Sequence, residues 1–417
     1  MWKASIMALI PLFLLLLPSL AFSQDLGVPL SWRDFSNSRL RAERISIAKD
    51  AINSILPQLD TSNAQFHGIG YWQAGNVFSA MANFDHLAGT KTYQTQVTNG
   101  LKTAFKLYPI SISLGTTTMM PCGGQLQLTT VTGRTRTKAY CQWPLQLGNM
   151  SRSSGYNVSV HHLSSPIYQS VISTADASSG KQPKKSFAIA KTCDGESMAG
   201  GVFWRPVSTD SSINSITTGL YTTLSAFLAE TTKDAKYTNA AILSAQWIQK
   251  LQINAKGIVL DGVDGSKCTR SPASWLFTYN SGKYIEGLSV LKDVTGDIIW
   301  KALMTNITAA AVKSSAWEGS NGIITEGASP KSNNDGVGFK AIFIRGLDEV
   351  SARSGDNSAL QILIHSYNDV QYNALLQLAA NGTSYSSDWK GPPQAFTTWG
   401  QLAALDVMVT AINTNSP

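Results

Sequence analysis

Acidic residues are missing from a long internal stretch: no aspartate or glutamate occurs between Asp85 and Asp176. Carboxylate chemistry is thereby excluded from that part of the chain. Histidine is scarce as well, with His67, His86 and His365 scattered singly, and no Cys/His cluster has zinc spacing. The expectation is therefore no metal and no cofactor. Charged residues make up only 14% of the chain, and the net charge of +7 is spread thinly. With no basic patch to read, a nucleic-acid partner is excluded. No βαβ alternation appears, which removes the α/β classes. The apolar run Ile6 to Leu17 is punctuated by Pro11 and closed by Pro18, shorter than the ~20 residues of a membrane span. The last residues, Ala411 to Pro417, carry no hydrophobic tail, so no glycolipid anchor is expected.

What is present at the start fits a cleavable secretory signal: Lys3, the apolar run, and a small-x-small exit at Ala21-Phe22-Ser23. Residues 1–23 are expected to be a signal peptide and 24–417 a single secreted, extracellular domain, free of the membrane and monomeric. Outside the cell the sequons at Asn149, Asn157, Asn306 and Asn381 become candidate glycan sites. Asn306 and Asn381 lie in regular parts of the chain. Cys193 and Cys268 also lie in coherent segments and are candidates to pair. Cys122 and Cys141 fall in a Thr-, Ser- and Gly-rich stretch, Ser111 to Ser170, that loses helical periodicity and includes His161-His162. It reads as an anomalous, disordered insertion.

Elsewhere helical spacing dominates. Leu40 to Ile52 places apolar residues three and four apart, as a helix with one buried face requires. Asn76–His86, Thr217–Ala229, Tyr237–Leu251, Lys283–Leu291, Ile298–Ala311, Phe339–Ser351, Leu360–Leu378 and Gln401–Ile412 read the same way. Three segments, Leu87–Tyr93, Leu228–Tyr237 and Leu291–Trp300, each end one helix, turn through polar residues and open another with an aromatic. Such hairpins cannot bury their apolar faces alone, so they stack in a solenoid or close into a ring. Long Gly-rich aromatic loops between them favour an all-α toroid with a cleft built at one end.

Those loops contain Gly70-Tyr71-Trp72-Gln73-Ala74-Gly75-Asn76, Gly200-Gly201-Val202-Phe203-Trp204, Ile258-Val259-Leu260-Asp261-Gly262, Thr278-Tyr279-Asn280-Ser281-Gly282 and Asp335-Gly336-Val337-Gly338-Phe339-Lys340. Their order and spacing across Gly68 to Gly100 and Cys193 to Val350 resemble family-76 glycoside hydrolases. The resemblance implies an (α/α)6 barrel of six hairpins and retaining endo-cleavage of α-1,6-mannan backbones, a polysaccharide partner. A cleft for a neutral glycan needs aromatic faces and hydrogen-bonding amides or carboxylates. Trp72, Trp204 and Tyr279 are candidates for the first role, and Asn76, Asn280, Asp335 and Lys340 for the second. The alternative for Trp204 and Phe339 is a place in the core, and for Lys340 and Arg345 a structural ion pair.

The resemblance also implies two neighbouring catalytic aspartates, in an Asp-Asp-x-x-Trp-Trp-like segment on the second hairpin. Here that slot falls at Thr118, Met119 and Met120. Met119-Met120-Pro121 is encoded ATG-ATG-CCN, and from the third base of Met119 the same bases read Asp-Ala. Extending that frame permits Asp-Asp-Ala-Met-Trp-Trp. Ser111 to about Ser170 therefore reads as a segment translated out of frame. The competing reading is an inactive glycan-binding pseudoenzyme.

Overall fold

The computed structural model describes residues 25–107, 128–131, 138–141, 170–328 and 334–414. Its helices are α1 (Arg41–Ile55), α2 (Tyr71–Ala88), α3 (Gln94–Leu107), α4 (Thr174–Ser179), α5 (Ser215–Thr232), α6 (Ala235–Leu251), α7 (Thr278–Thr295), α8 (Ile298–Ala311), α9 (Gly336–Arg353), α10 (Ala359–Ala374) and α11 (Thr398–Thr410).

The polar turns that join the helices do their work through two adjacent residues. After α5, Lys233 takes the left-handed conformation, and Asp234 then caps α6 by accepting from the Lys236 N–H. After α7, Gly296 and Asp297 repeat the arrangement for α8. Reversing the chain needs one residue at positive φ, and the next helix needs an acceptor for its unpaired first N–H groups. The Thr-(Gly/Lys)-Asp repeat supplies both.

The hairpins close into two concentric layers. Helices α2, α5, α7, α9 and α11 are buried around most of their circumference, whereas α1, α6 and α8 bury one face and α10 is buried all round in its second half. Around the inner layer α2 packs on α11, α11 on α9, α9 on α7, and α7 on α5. Each has an outer companion: α3 on α2, α6 on α5, α8 on α7, α10 on α9, and α1 on α11. The described residues thus supply five helical positions of the inner layer. Between α2 and α5 runs the backbone of an antiparallel strand pair, Leu128–Val131 with Lys138–Cys141. The rest of the 111–169 stretch, and with it the expected disorder, lies outside the described residues.

One expectation about placement is corrected. Tyr71–Asn76 and Thr278–Gly282, read as loops, form the opening turns of α2 and α7, and Gly336–Lys340 opens α9. Inner helices contact protein on every side, so their sequence carries little of the one-sided apolar stripe from which helices are read.

Candidate active site

The opening turns of three inner helices converge. Trp72 on α2 donates its indole N–H to Asp335, the residue before α9, at 3.3 Å, and Gln73 donates to the same carboxylate oxygen at 2.6 Å. Gly338 on α9 lets the indole approach, since a Cβ there would meet its edge at 3.3 Å. The Trp72 ring stacks on Phe339 with centroids 6.1 Å apart, and Phe339 lies parallel to Tyr279 of α7 at 4.1 Å. From there the rings continue outward through Phe277, 5.9 Å from Tyr279, to Trp275, 6.4 Å further on.

This aromatic ladder borders a cleft of about 570 Å³, whose walls include Trp204, Asp261, Trp275, Tyr279 and Phe339. That volume lies within the range of small-molecule sites. The α5 side is held by pairing of Ser212–Asn214 with Gly262–Asp264. Arg205 covers the Trp204 ring, its guanidinium 3.9 Å from the centroid.

Three carboxyl groups surround Tyr279. Asp261 accepts from the Asn280 amide at 3.2 Å, and burial raises its pKa while bonds from Asn280, Ser271 and Tyr279 pull it down. Glu326 accepts the first N–H of α7, from Thr278, at 2.9 Å, together with the Thr278 hydroxyl. Its surroundings push it up to about 7, the Thr278 bonds and Lys340 opposing. Asp335 is the exposed member. The Tyr279 phenol is held far above its ordinary value, first by burial and then by these carboxylates, so it acts as a hydrogen-bond donor.

The structure brings Trp72, Tyr279 and Asp335 together and puts Trp204 on the same cleft. Asn280 lies beneath, fully buried, orienting Asp261. Asn76 and Lys340, read from sequence as sugar-binding groups, face protein partners instead. Asn76 is buried one turn into α2, where its oxygen accepts from Arg345 at 2.7 Å, and Arg345 is paired with Asp406 at 2.8 Å. Lys340 is fully buried, donates to the Ser387 carbonyl and lies 4.5 Å over the Trp389 ring. Burial brings its ammonium down to about 7, with Glu326 and Asp388 opposing. Trp275 and Phe277 escaped the sequence reading, although Pro272 and two serines beside an aromatic pair signal a rigid, ring-bearing turn. Thr118, Met119 and Met120 lie outside the described residues.

Cys193 and Cys268 form a disulfide with Cα atoms 5.4 Å apart. It anchors the 264–271 wall of the cleft, where Arg270 pairs with Asp194 at 2.5 Å. Asp194 with these two cysteines forms a cluster of potential metal ligands, but the disulfide occupies both sulfurs. Asn381 is exposed on a hairpin and Asn306 is half-buried within α8.

A helical ring whose inner-helix openings bring stacked aromatics and carboxylates to one cleft defines an α/α barrel. The chain belongs to glycosyl hydrolase family 76, whose sequence model matches residues 184–417. Among curated relatives, a mannan endo-1,6-α-mannosidase of Saccharomyces cerevisiae is 27% identical over 247 residues, 55% of this chain and 53% of the relative. Its counterpart from Candida glabrata is 26% identical over 238 residues, 53% of this chain and 51% of the relative. The chain thus spans about half the length of these relatives. Among solved structures, Dfg5 from Chaetomium thermophilum in complex with glucosamine aligns with a TM-score of 0.63 at 15% identity, covering 91% of this chain and 92% of that one. An inactive variant of an α-1,6-mannanase from Salegentibacter, with two adjacent aspartates replaced by alanine and α-1,6-mannotetraose bound, aligns at 0.61 with 14% identity, covering 88% and 98%. At these identities the likeness concerns the fold, an (α/α)6 barrel.

Proposed function

We propose that the protein is a secreted, monomeric member of its family whose cleft receives α-1,6-linked mannan, the substrate of an endo-acting glycoside hydrolase. The observation that carries this reading is the aromatic lining of the cleft, Trp204, Trp275, Tyr279 and Phe339, with Asp261 among them and Asp335 bonded to Trp72 beside it. Flat rings match the C–H faces of pyranoses, and carboxylates accept from their hydroxyls. The mannosidase names of its relatives support the same substrate.

Retaining hydrolysis needs two carboxyl groups ~5 Å apart, one attacking the anomeric carbon and the other protonating the leaving oxygen. Family resemblance puts that pair on the second hairpin, where this sequence has Thr118, Met119 and Met120. Those side chains neither form a glycosyl ester nor release a proton near neutral pH. The absence of any acid between Asp85 and Asp176 favours a second reading for the chain with this sequence: it binds mannan without cleaving it. Hydrolysis belongs to the alternative frame, Asp-Asp-Ala-x-Trp-Trp.

Both forms are to be assayed on a linear α-1,6-mannooligosaccharide. Binding by both and turnover only by the restored frame is expected. Turnover by the present sequence that disappears in Asp335→Asn would overturn the assignment of the missing chemistry, and no binding by either would overturn the substrate.

A further inference from the structure

The far end of the aromatic ladder is unaccounted for by any role given so far. Trp275 is 50% exposed, and among the described residues it is the only exposed tryptophan. An indole left in water forfeits the burial that normally stabilises so large an apolar side chain. Its setting is nonetheless rigid. The Trp275 backbone N–H bonds the Pro272 carbonyl at 2.8 Å and the Leu276 backbone N–H bonds the Ser274 carbonyl at 3.0 Å, so the main chain that carries the ring is fixed in a turn.

Position separates this residue from the other exposed apolar side chains. Leu30, Leu40, Leu107, Ile298, Ile299 and Ile362 are exposed too, but they lie in the segment before α1 or in or beside the outer helices α1, α3, α8 and α10, and none lines the cleft. Trp275 does, together with Trp204 and Lys267. Its ring is the last in a contact series that begins at Trp72. Lys267 is exposed, offers three donors, and has no ion pair among the described residues.

The geometry points to an outer sugar-binding subsite at Trp275, with Trp204 and Lys267 on the same cleft, for a hexopyranose unit beyond those nearest Tyr279 and Phe339. This subsite rests on the mannan-binding reading above and adds a length preference to it. A glycan entering the cleft past the largely buried Tyr279 and Phe339 reaches the exposed Trp275 only when it extends further. Trp275 is then a specificity-determining residue that distinguishes long chains from short ones.

Calorimetric titration of the full chain with α-1,6-mannobiose and α-1,6-mannotetraose tests this, using the parent, Trp275→Ala and Trp275→Phe. Trp275→Ala should weaken mannotetraose binding by about tenfold, the size of one good aromatic contact, and leave mannobiose within about twofold. Trp275→Phe, which keeps a flat ring, should recover most of the loss. Because the side chain is half exposed, an unchanged melting temperature is expected and separates lost contact from lost fold. Unchanged mannotetraose affinity in Trp275→Ala, or an equal loss for both sugars, overturns the subsite alone. A parent chain that binds neither sugar overturns the mannan reading and the subsite with it.

Discussion

At the scale of single residues, Tyr279, Trp204 and Asp335 were legible in the sequence as cleft-side positions, whereas Asn76 and Lys340 were not placed correctly. Tyr279, at the opening of α7, and Trp204, in the segment before α5, line the cleft, while Trp72 joins them through Phe339 and Asp335. Asn76 and Lys340 have the right chemistry for sugar hydroxyls, but a sequence does not reveal that Arg345 and the Ser387 carbonyl claim them first. The buried Lys340 carries a pH signature. Its amine titrates near 7 instead of 10.5, so the neutral form is favoured in the fold, and its contribution to stability is present above the ordinary value and lost as pH falls through about 7. Glu326, raised from 4.5 to about 7, has the opposite sign: its contribution is present below 4.5 and lost as pH rises through about 7. Asp388 is the other charge acting on the ammonium. Melting temperature should therefore rise with pH between about 7 and 10 in the parent, a limb shared by Lys185, which burial brings down to about 8, and Lys340→Met should reduce it. A variant that keeps the full rise would place the titration on another group.

At the scale of elements, the outer helices and hairpin turns could be read because they alternate one buried face with capped, polar ends. The inner helices α2, α7 and α9 were read as starting three to five residues late, since burial on all sides hides where they begin. Their closest approach also depends on residues that seem to favour loops. On α7, a Cβ at Gly282 would lie 2.5 Å from the Phe343 Cα; on α9, a Cβ at Gly346 would lie 2.2 Å from the Gly282 carbonyl oxygen. The glycines of the Tyr-Asn-x-Gly and Arg-Gly-Leu segments are thus packing residues that let two backbones touch. Alanine has the better helix propensity by about 1 kcal/mol, yet the obstructing atoms are backbone and cannot rotate away. Gly346→Ala should lose roughly 1–3 kcal/mol net in chemical denaturation. Unchanged stability would mean that α7 and α9 lie further apart.

At the scale of the whole molecule, the Cys193–Cys268 bond links positions 75 residues apart, across α5 and α6. In the chain-entropy account, closing a loop of this length stabilises the fold by about 4 kcal/mol by restricting the unfolded chain. Replacing both cysteines with serine should lower the melting temperature by several degrees, and the parent should show the same loss when reduced. Pairing of these two was readable because they sit outside the irregular segment. How the ring is completed was not, since contacts between the first helix and the last leave no local pattern.

That closure has a consequence for where the chain can be cut. Helix α1 rests on α11, and the buried Arg44 guanidinium donates to the Ala411 and Thr414 carbonyls, so residues from opposite ends of the described chain meet as neighbours. A ring joined in this way has no obligatory seam. Joining Thr414, which sits on Arg44 and Asp369, to Asp25, which sits on Lys313, through a long Gly/Ser-rich peptide, and opening the exposed Gly355-Asp356-Asn357 turn between α9 and α10, should give a circular permutant that folds with its cleft intact. Mannotetraose affinity within about threefold of the parent is the expected result. A permutant that fails to fold would show that one particular order of hairpin formation, and not only the finished ring, is needed.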